Sequence, residues 1–206
     1  MAPSALATNL PSFEVDGVEY PLLGTSLQSL VITWLRAGQV TMAATFNDWG
    51  SVDNRPPNFL WSDGRIVRTG VTIAVRFSAD GPFGGTVATV ESHLADSTAP
   101  VFALRAKGRD LVGKTAPPRT LRWSEDVLRM DAAIETVGPN RTARHVNAEA
   151  LGTFALGPAA LRPDMQIDIV CAGAMFDGLY SLTEISLQFD LAAGLRTQFS
   201  ARSDSR

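Results

Sequence analysis

The 206-residue chain has one cysteine, two histidines, two lysines and no apolar run long enough to cross a bilayer. The single thiol, Cys171, excludes an internal disulfide framework and a cysteine-based zinc site. A membrane helix needs about 20 consecutive apolar residues, so membrane insertion is not expected. Residues 1–11 carry no basic side chain ahead of their apolar letters, so a secretory signal is not expected either. Basic and acidic residues nearly balance, 18 against 21, with a net charge of −3. That balance lacks the basic footprint of a nucleic-acid binder.

Catalytic signatures are scarce as well. There is no Gly-x-Ser-x-Gly elbow, and Gly81-Pro82-Phe83-Gly84-Gly85 lacks the Lys-Ser/Thr ending of a phosphate loop. Asp48, Asp53 and Asp63 share one stretch, but not at the alternating spacing of a calcium loop. A Cys–His hydrolase would need Cys171 to converge with His93 or His145. Cys171 instead falls in phase with Ile167 and Ile169, the pattern of a buried small hydrophobe. His93, with Asp96 nearby, reads as a surface histidine. No catalytic residue, cofactor or metal is therefore expected, and the chain does not read as an enzyme.

What is present is β-structure. The composition is 45% hydrophobic, which excludes wholesale disorder, and the dominant period is two. Asp16-Gly17 between Phe13-Glu14-Val15 and Val18-Glu19-Tyr20 is a two-residue hairpin signal. Strands are expected over 27–36, 40–46, 71–77, 86–94, 101–107, 165–171, 180–191 and 195–201. Residues 47–64 are rich in Asp, Asn, Pro and Gly and read as a long exposed loop holding Trp49, Phe59 and Trp61. Large aromatics in a loop either pack back on the body or meet a partner. Pro117-Pro118 is the best linker. Beyond it, 124–137 suits a short amphipathic helix with Ser124 as N-cap, and a strand over 127–136 fits nearly as well. Residues 143–156 are ambiguous. Of the 18 basic residues 16 are Arg. That bias fits protein interfaces and equally a GC-rich genome, so alone it decides nothing.

The second half echoes the first. Val71, Ile73, Val75 and Phe77 align with Met165, Ile167, Ile169 and Cys171. Phe83-x-Gly85 matches Phe176-x-Gly178, Glu91 matches Glu184, and Phe102 and Arg105 match Phe199 and Arg202. Glu91 and Glu184 are expected to close a hydrogen bond or to pair with an arginine such as Arg105 or Arg202. The expected architecture is all-β: two similar small antiparallel barrel-like units, residues 1–116 with the loop 47–64, and residues 117–206. Short antiparallel strands cannot hide both faces and so curl or pack.

Three phrases near the C-terminus sharpen this. They are Leu161-Arg162-Pro163-Asp164-Met165, Phe176-Asp177-Gly178-Leu179-Tyr180-Ser181-Leu182-Thr183-Glu184 and Gly194-Leu195-Arg196-Thr197-Gln198-Phe199-Ser200-Ala201-Arg202. With Val15-Asp16-Gly17, Gly84-Gly85-Thr86-Val87 and Val90-Glu91, the chain resembles the phage late control D family, the tail hub proteins of contractile phages and related injection systems. It departs from that family in length, in Asp164 where a Gly is usual, and in Leu187-Gln188-Phe189-Asp190 where a His is common. The resemblance implies a baseplate hub without chemistry. Such a hub is a homotrimer whose six similar units adapt a hexameric tail tube protein to a trimeric spike protein, beside other baseplate proteins, in a virion tail or injection particle assembled in the host cytoplasm. The interface candidates are Trp49, Phe59, Trp61, Arg196, Gln198 and Arg202, with the strand at 195–201 pairing across subunits. Two readings stand beside it: a tail tube protomer, and a carbohydrate-binding or hydrolytic β domain whose loop aromatics stack on sugars.

Overall fold

The computed structural model describes residues 10–35, 38–52, 56–77, 80–96, 98–109, 119–122, 129–138, 141–151, 163, 165–170, 172–192 and 194–205. Among these the chain is all-β, with a single short helix. It divides into two compact units. The first comprises residues 1–29 and 43–107, the second 30–42 and 108–206, so the division is not one cut in the chain. Pro117-Pro118 and Cys171 lie outside the described residues.

In the first unit, Asp16 and Gly17 both take positive φ, 48° and 79°, the conformation that a tight hairpin turn requires. They join β1 (Ser12–Val15) to β2 (Val18–Glu19), in the register Val15↔Val18. Helix α1 (Pro21–Ser26) follows, with proline at its first turn. Strands β3 (Leu27–Leu35) and β4 (Gln39–Asn47) alternate buried and exposed residues, as their period of two predicts. Two short strands, β5 (Trp49–Gly50) and β6 (Asn58–Phe59), sit within the long loop. Then come β7 (Thr72–Phe77), β8 (Asp80–His93) and β9 (Val101–Arg109). The strand order is β4-β9-β8-β7-β1-β2. β8 begins six residues before the expected strand, because the Gly-Pro-rich stretch at 81–85 is part of it. Gly85 belongs there for lack of a side chain: a Cβ would lie 2.5 Å from the Lys107 carbonyl oxygen. The core gathers Phe13, Phe46 and Phe102. Phe13 meets Phe46 edge-on at 5.3 Å, and Phe102 lies 6.4 Å from Phe46.

The second unit holds β10 (Arg119–Arg122), β11 (Arg129–Gly138), β12 (Arg141–Leu151), β13 (Gln166–Val170), β14 (Gly178–Asp190) and β15 (Gly194–Ser205). Its strand order is β11-β12-β15-β14-β3, where residues 30–42 of the β3–β4 hairpin count with this unit. One pairing departs from the antiparallel expectation: β10 runs parallel to β13, from Arg119↔Ile167 to Arg122↔Val170. The amphipathic helix is also corrected, because residues 129–138 form β11, paired with β12 from Arg129↔Glu149 to Gly138↔Arg141. Its helical stripe is weak, whereas Met130, Ala132 and Ile134 recur at period two, and the ladder to β12 decides the outcome. The expectation that 195–201 pairs across subunits fails too. β15 is interior, paired with β12 along one edge and with β14 along the other.

The two units repeat one order. Twice along the chain a hairpin (β3–β4, then β11–β12) places its second strand beside the last strand of a three-strand meander (β7-β8-β9, then β13-β14-β15). The Phe-x-Gly match is not part of that equivalence. Ile73 faces Gly85 and Val75 faces Phe83, whereas Ile167 faces Tyr180 and Ile169 faces Gly178. Aligning Ile73 with Ile167 therefore sets Gly85 on Tyr180. Phe83 is a buried strand residue, and Phe176 lies in the turn before β14.

Candidate functional site

Two surfaces carry the predicted interface residues. In the first unit the loop after β4 is built on Asp48, which is fully buried. Its Oδ1 accepts the backbone N–H groups of Leu60, Trp61 and Ser62 at 3.2, 2.7 and 3.3 Å. Its Oδ2 accepts the Ser62 hydroxyl. A buried carboxylate needs such donors to offset its lost hydration. Asp48 is thus a staple that folds 58–62 back onto the body, and its oxygens are already engaged by protein donors. Asp63 pairs with Arg65 at 3.4 Å, and Asp53 lies outside the described residues. Among the described residues no three His, Cys, Asp or Glu side chains gather as a metal site would require.

The three loop aromatics separate into two roles. Trp61 is 1% exposed and donates its indole N–H to the Asn47 carbonyl at 3.2 Å. Trp49 and Phe59 face each other across β5 and β6 and stay outside, 43% and 38% exposed. Their rings stand 5.4 Å apart at 81°. An edge-to-face pair gives no flat shared platform for a sugar ring, but it does give a compact apolar knob.

In the second unit, Arg196, Gln198, Ser200 and Arg202 alternate with the inward Thr197, Phe199 and Ala201. This places Arg196, Gln198 and Arg202 on one face of β15, as expected. Neighbouring strands answer them. Arg196 meets Glu149 at 2.7 Å, the Gln188 amide donates to Gln198 at 2.9 Å, and the Ser200 hydroxyl donates to Asn147 at 2.7 Å. A shallow groove of about 370 Å³ crosses this face, lined by Arg129, Asp131, Glu149, Glu184 and Gln198 among others. Within it Arg129 pairs with Asp131 at 3.2 Å, and Glu149 and Gln198 hold the contacts already given, so its wall is polar.

Each histidine sits beside a glutamate. His93 sits 3.6 Å from Glu91, not beside Asp96, and His145 sits 3.3 Å from Glu135. The expected arginine partner of Glu91 is therefore replaced by a histidine two residues along the same strand.

Sequence reasoning missed Arg144. Its guanidinium donates to the Asp177 and Met175 carbonyls at 2.9 and 3.3 Å and to the Ser203 hydroxyl at 3.3 Å. It also stands over the Tyr180 ring at 5.1 Å. The same turn is closed by Asp177, which accepts the Ala172 N–H at 2.7 Å, and by the Tyr180 hydroxyl, which donates to the Phe176 carbonyl at 2.8 Å. Gly178 has φ 135°, open to glycine alone at low strain. The Phe-Asp-Gly-x-Tyr phrase is therefore a turn-building device. Burial pushes the Tyr180 phenol above its usual range, with Arg144 pulling the other way. The only sequence hint of Arg144 is an arginine between Ala143 and His145, in a stretch whose pattern is ambiguous.

No family model matches the sequence, and no curated protein matches it. Solved structures do. A tail protein from Neisseria meningitidis MC58 superposes with TM-score 0.61 at 9% identity, over 94% of this chain and 96% of that one. The 43 kDa tail protein of prophage MuSo2 from Shewanella oneidensis gives 0.60 at 8% identity, over 93% and 97%. This chain shares the fold of these tail proteins. A component of the E. coli type VI secretion system, itself described as similar to the bacteriophage T4 tail proteins gp27 and gp5, gives 0.59 at 9% identity over 92% and 76%. At such identities the likeness concerns the fold alone, and it covers nearly the whole chain.

Proposed function

We propose that this protein is a structural ring component of a contractile phage tail or related injection system, a baseplate hub. In this reading it adapts a hexameric inner tube to a trimeric spike. The observation that carries the reading is the repeated strand order within a fold shared with tail proteins. Three copies of a two-unit chain set six similar units around a ring, while the ring keeps true threefold symmetry. Each face can then meet a partner of a different symmetry. The Trp49–Phe59 knob and the polar face bearing Arg196, Gln198 and Arg202 are the surfaces offered to partners, tube and spike proteins among them. The two units also differ at their margins, where β1 is antiparallel to β7 and β10 parallel to β13. That difference favours three chains over the six of a plain tube protomer. Electron microscopy of the purified protein tests this. Rings with three copies and six lobes are expected, whereas six copies per ring, or a monomer that binds glycans, would refute the hub.

A further inference from the structure

The repeated strand order leaves one hairpin without the partner that its counterpart has. In the second unit, β15 occupies one edge of β14 from Ser181↔Arg202 to Asp190↔Gly194. β13 takes the other edge only from Gly178 to Ser181, with a further bond from Leu182 to Met165. β3 therefore pairs with the rest of that second edge. It buries Leu30, Ile32 and Trp34 as it does so.

In the first unit, β8 is the counterpart of β14, and the corresponding stretch of its edge is open. β7 pairs with β8 only from Asp80 to Thr86. One residue on, the Val87 N–H donates to the Val71 carbonyl at 2.9 Å and the Val87 carbonyl accepts from Gly70 at 2.8 Å. Past Val87, no described strand continues along that side. By strand alternation the N–H and C=O groups of Thr89, Glu91 and His93 point to the same open side. The segment is exposed, and Leu94 just beyond it is 64% exposed.

The counterpart of β3 is β11, and among the described residues its outer edge is open as well. Among the described residues β11 ends the sheet order and pairs with β12 alone. Its apolar row is not covered as that of β3 is: Met130 and Ala132 are half-buried, and Ile134 and Val137 are each 43% exposed. A ten-residue unpaired edge carrying exposed apolar residues is a template for another strand.

We infer that β11 of one copy pairs with the open edge of β8, residues 88–93, in a second copy of this chain. The pairing repeats between chains the place that β3 takes beside β14 within one chain. This deepens the ring reading above and rests on it. The contact is heterologous, because the giving surface (β11) differs from the receiving one (β8). Head-to-tail contacts of this kind close into rings when the rotation allows. The occupant is a second copy because the missing partner of each edge is the counterpart of a strand that this chain already uses.

Two variants test it. Ile134→Lys with Val137→Lys disables the giving edge at exposed positions. Glu91→Pro removes an N–H that faces the open side of β8 while leaving the β9 side intact. Sedimentation of the wild type should show oligomers, and each variant alone should lose association by about tenfold or more. An equimolar mixture should stop at dimers, because one variant can only give and the other can only receive. Wild-type rings that persist in both variants would overturn the pairing and leave the ring reading standing. A wild-type monomer would overturn both, and so assign these edges to another protein. A mixture with no dimers would also overturn the pairing. Circular dichroism confirms that both variants stay folded. As an independent readout, Thr89→Cys mixed with Ala133→Cys, both in a Cys171→Ser background, should yield disulfide-linked dimers that neither protein forms alone.

Discussion

The two units solve one problem with different local devices. Both set a hairpin beside a three-strand meander, and both bury an alternating apolar row. The first closes its meander with the antiparallel β1–β2 hairpin and with a glycine, Gly85, that lets β9 approach. The second uses a parallel strand, β10, and fills the position that matches Gly85 with Tyr180, which Arg144 covers. Strand order is carried by alternation and loop length, which tolerate wide change in sequence. The fixings are carried by single side chains, which do not. A duplicated sheet order can therefore outlast nearly all of its matching residues.

The comparison breaks most sharply at Asp48, which staples the first unit alone. Asp48→Ala leaves the Trp61 and Ser62 N–H groups facing a cavity, while Leu60 keeps the Asp48 carbonyl and the Ser62 hydroxyl keeps Ser92, and should cost about 3 kcal/mol. The drop in thermal midpoint should come with a change in Trp61 fluorescence, and Asp48→Asn should lie between, because an amide cannot accept from all four donors. Next comes Gly85→Ala, where the new Cβ would meet Lys107 backbone atoms that cannot step aside. Overpacking of this kind costs about 3 kcal/mol. If the equivalence is right, Tyr180→Gly opens the matching place in the second unit rather than crowding it, and the loss there comes from the emptied core.

In the second unit, Arg144→Ala removes two carbonyl bonds, a hydroxyl contact and the stacking on Tyr180. Roughly 2 kcal/mol should be lost. Arg144→Lys should recover only part of it, because one ammonium can replace Nη1 at the two carbonyls but not Nη2 at the Ser203 hydroxyl, nor the planar face over Tyr180. Tyr180→Phe, which removes only the bond to Phe176, should cost about 1 kcal/mol. Hydrogen exchange at residues 172–178 reads both, and the first unit should be unmoved.

How much of this was legible in the sequence depended on what each residue does. Strands β3, β4, β7, β9 and β14 stood out because their alternation is clean and their branched residues are many. β8 was cut short because Gly81-Pro82 and Gly84-Gly85 look like turn chemistry, although a close strand approach calls for the same glycine. β11 read nearly as well as a helix or as a strand, because Ser124 and Gly138-Pro139 look like helix ends, while the ladder that decides for the strand lies in β12. The face bearing Arg196, Gln198 and Arg202 was legible from period two. The roles of Asp48 and Arg144 were not, since both act on backbone groups of distant loops. The exposed pair Trp49–Phe59 and the buried Trp61 look alike in sequence; the Asp48 staple separates them.

The smallest expected effect lies at the β1–β2 turn, and it tests whether that hairpin is held by charge. Asp16 accepts the Thr72 N–H and the Thr72 hydroxyl, both at 2.9 Å. These bonds hold its carboxyl below the ordinary value of 3.8, with Arg68 adding to them against a small opposing effect of burial. A carboxyl lowered in the folded state contributes stability above its unfolded value and loses it as pH falls through the folded one. Thr72→Val removes the hydroxyl donor at an exposed strand position and should lower the thermal midpoint slightly near neutral pH. That difference should close as the pH drops below about 4, because a protonated Asp16 gains little from the second donor. A gap that stays constant across this range would mean that Thr72 acts through packing, and that the first unit's outer hairpin is held by its turn geometry alone.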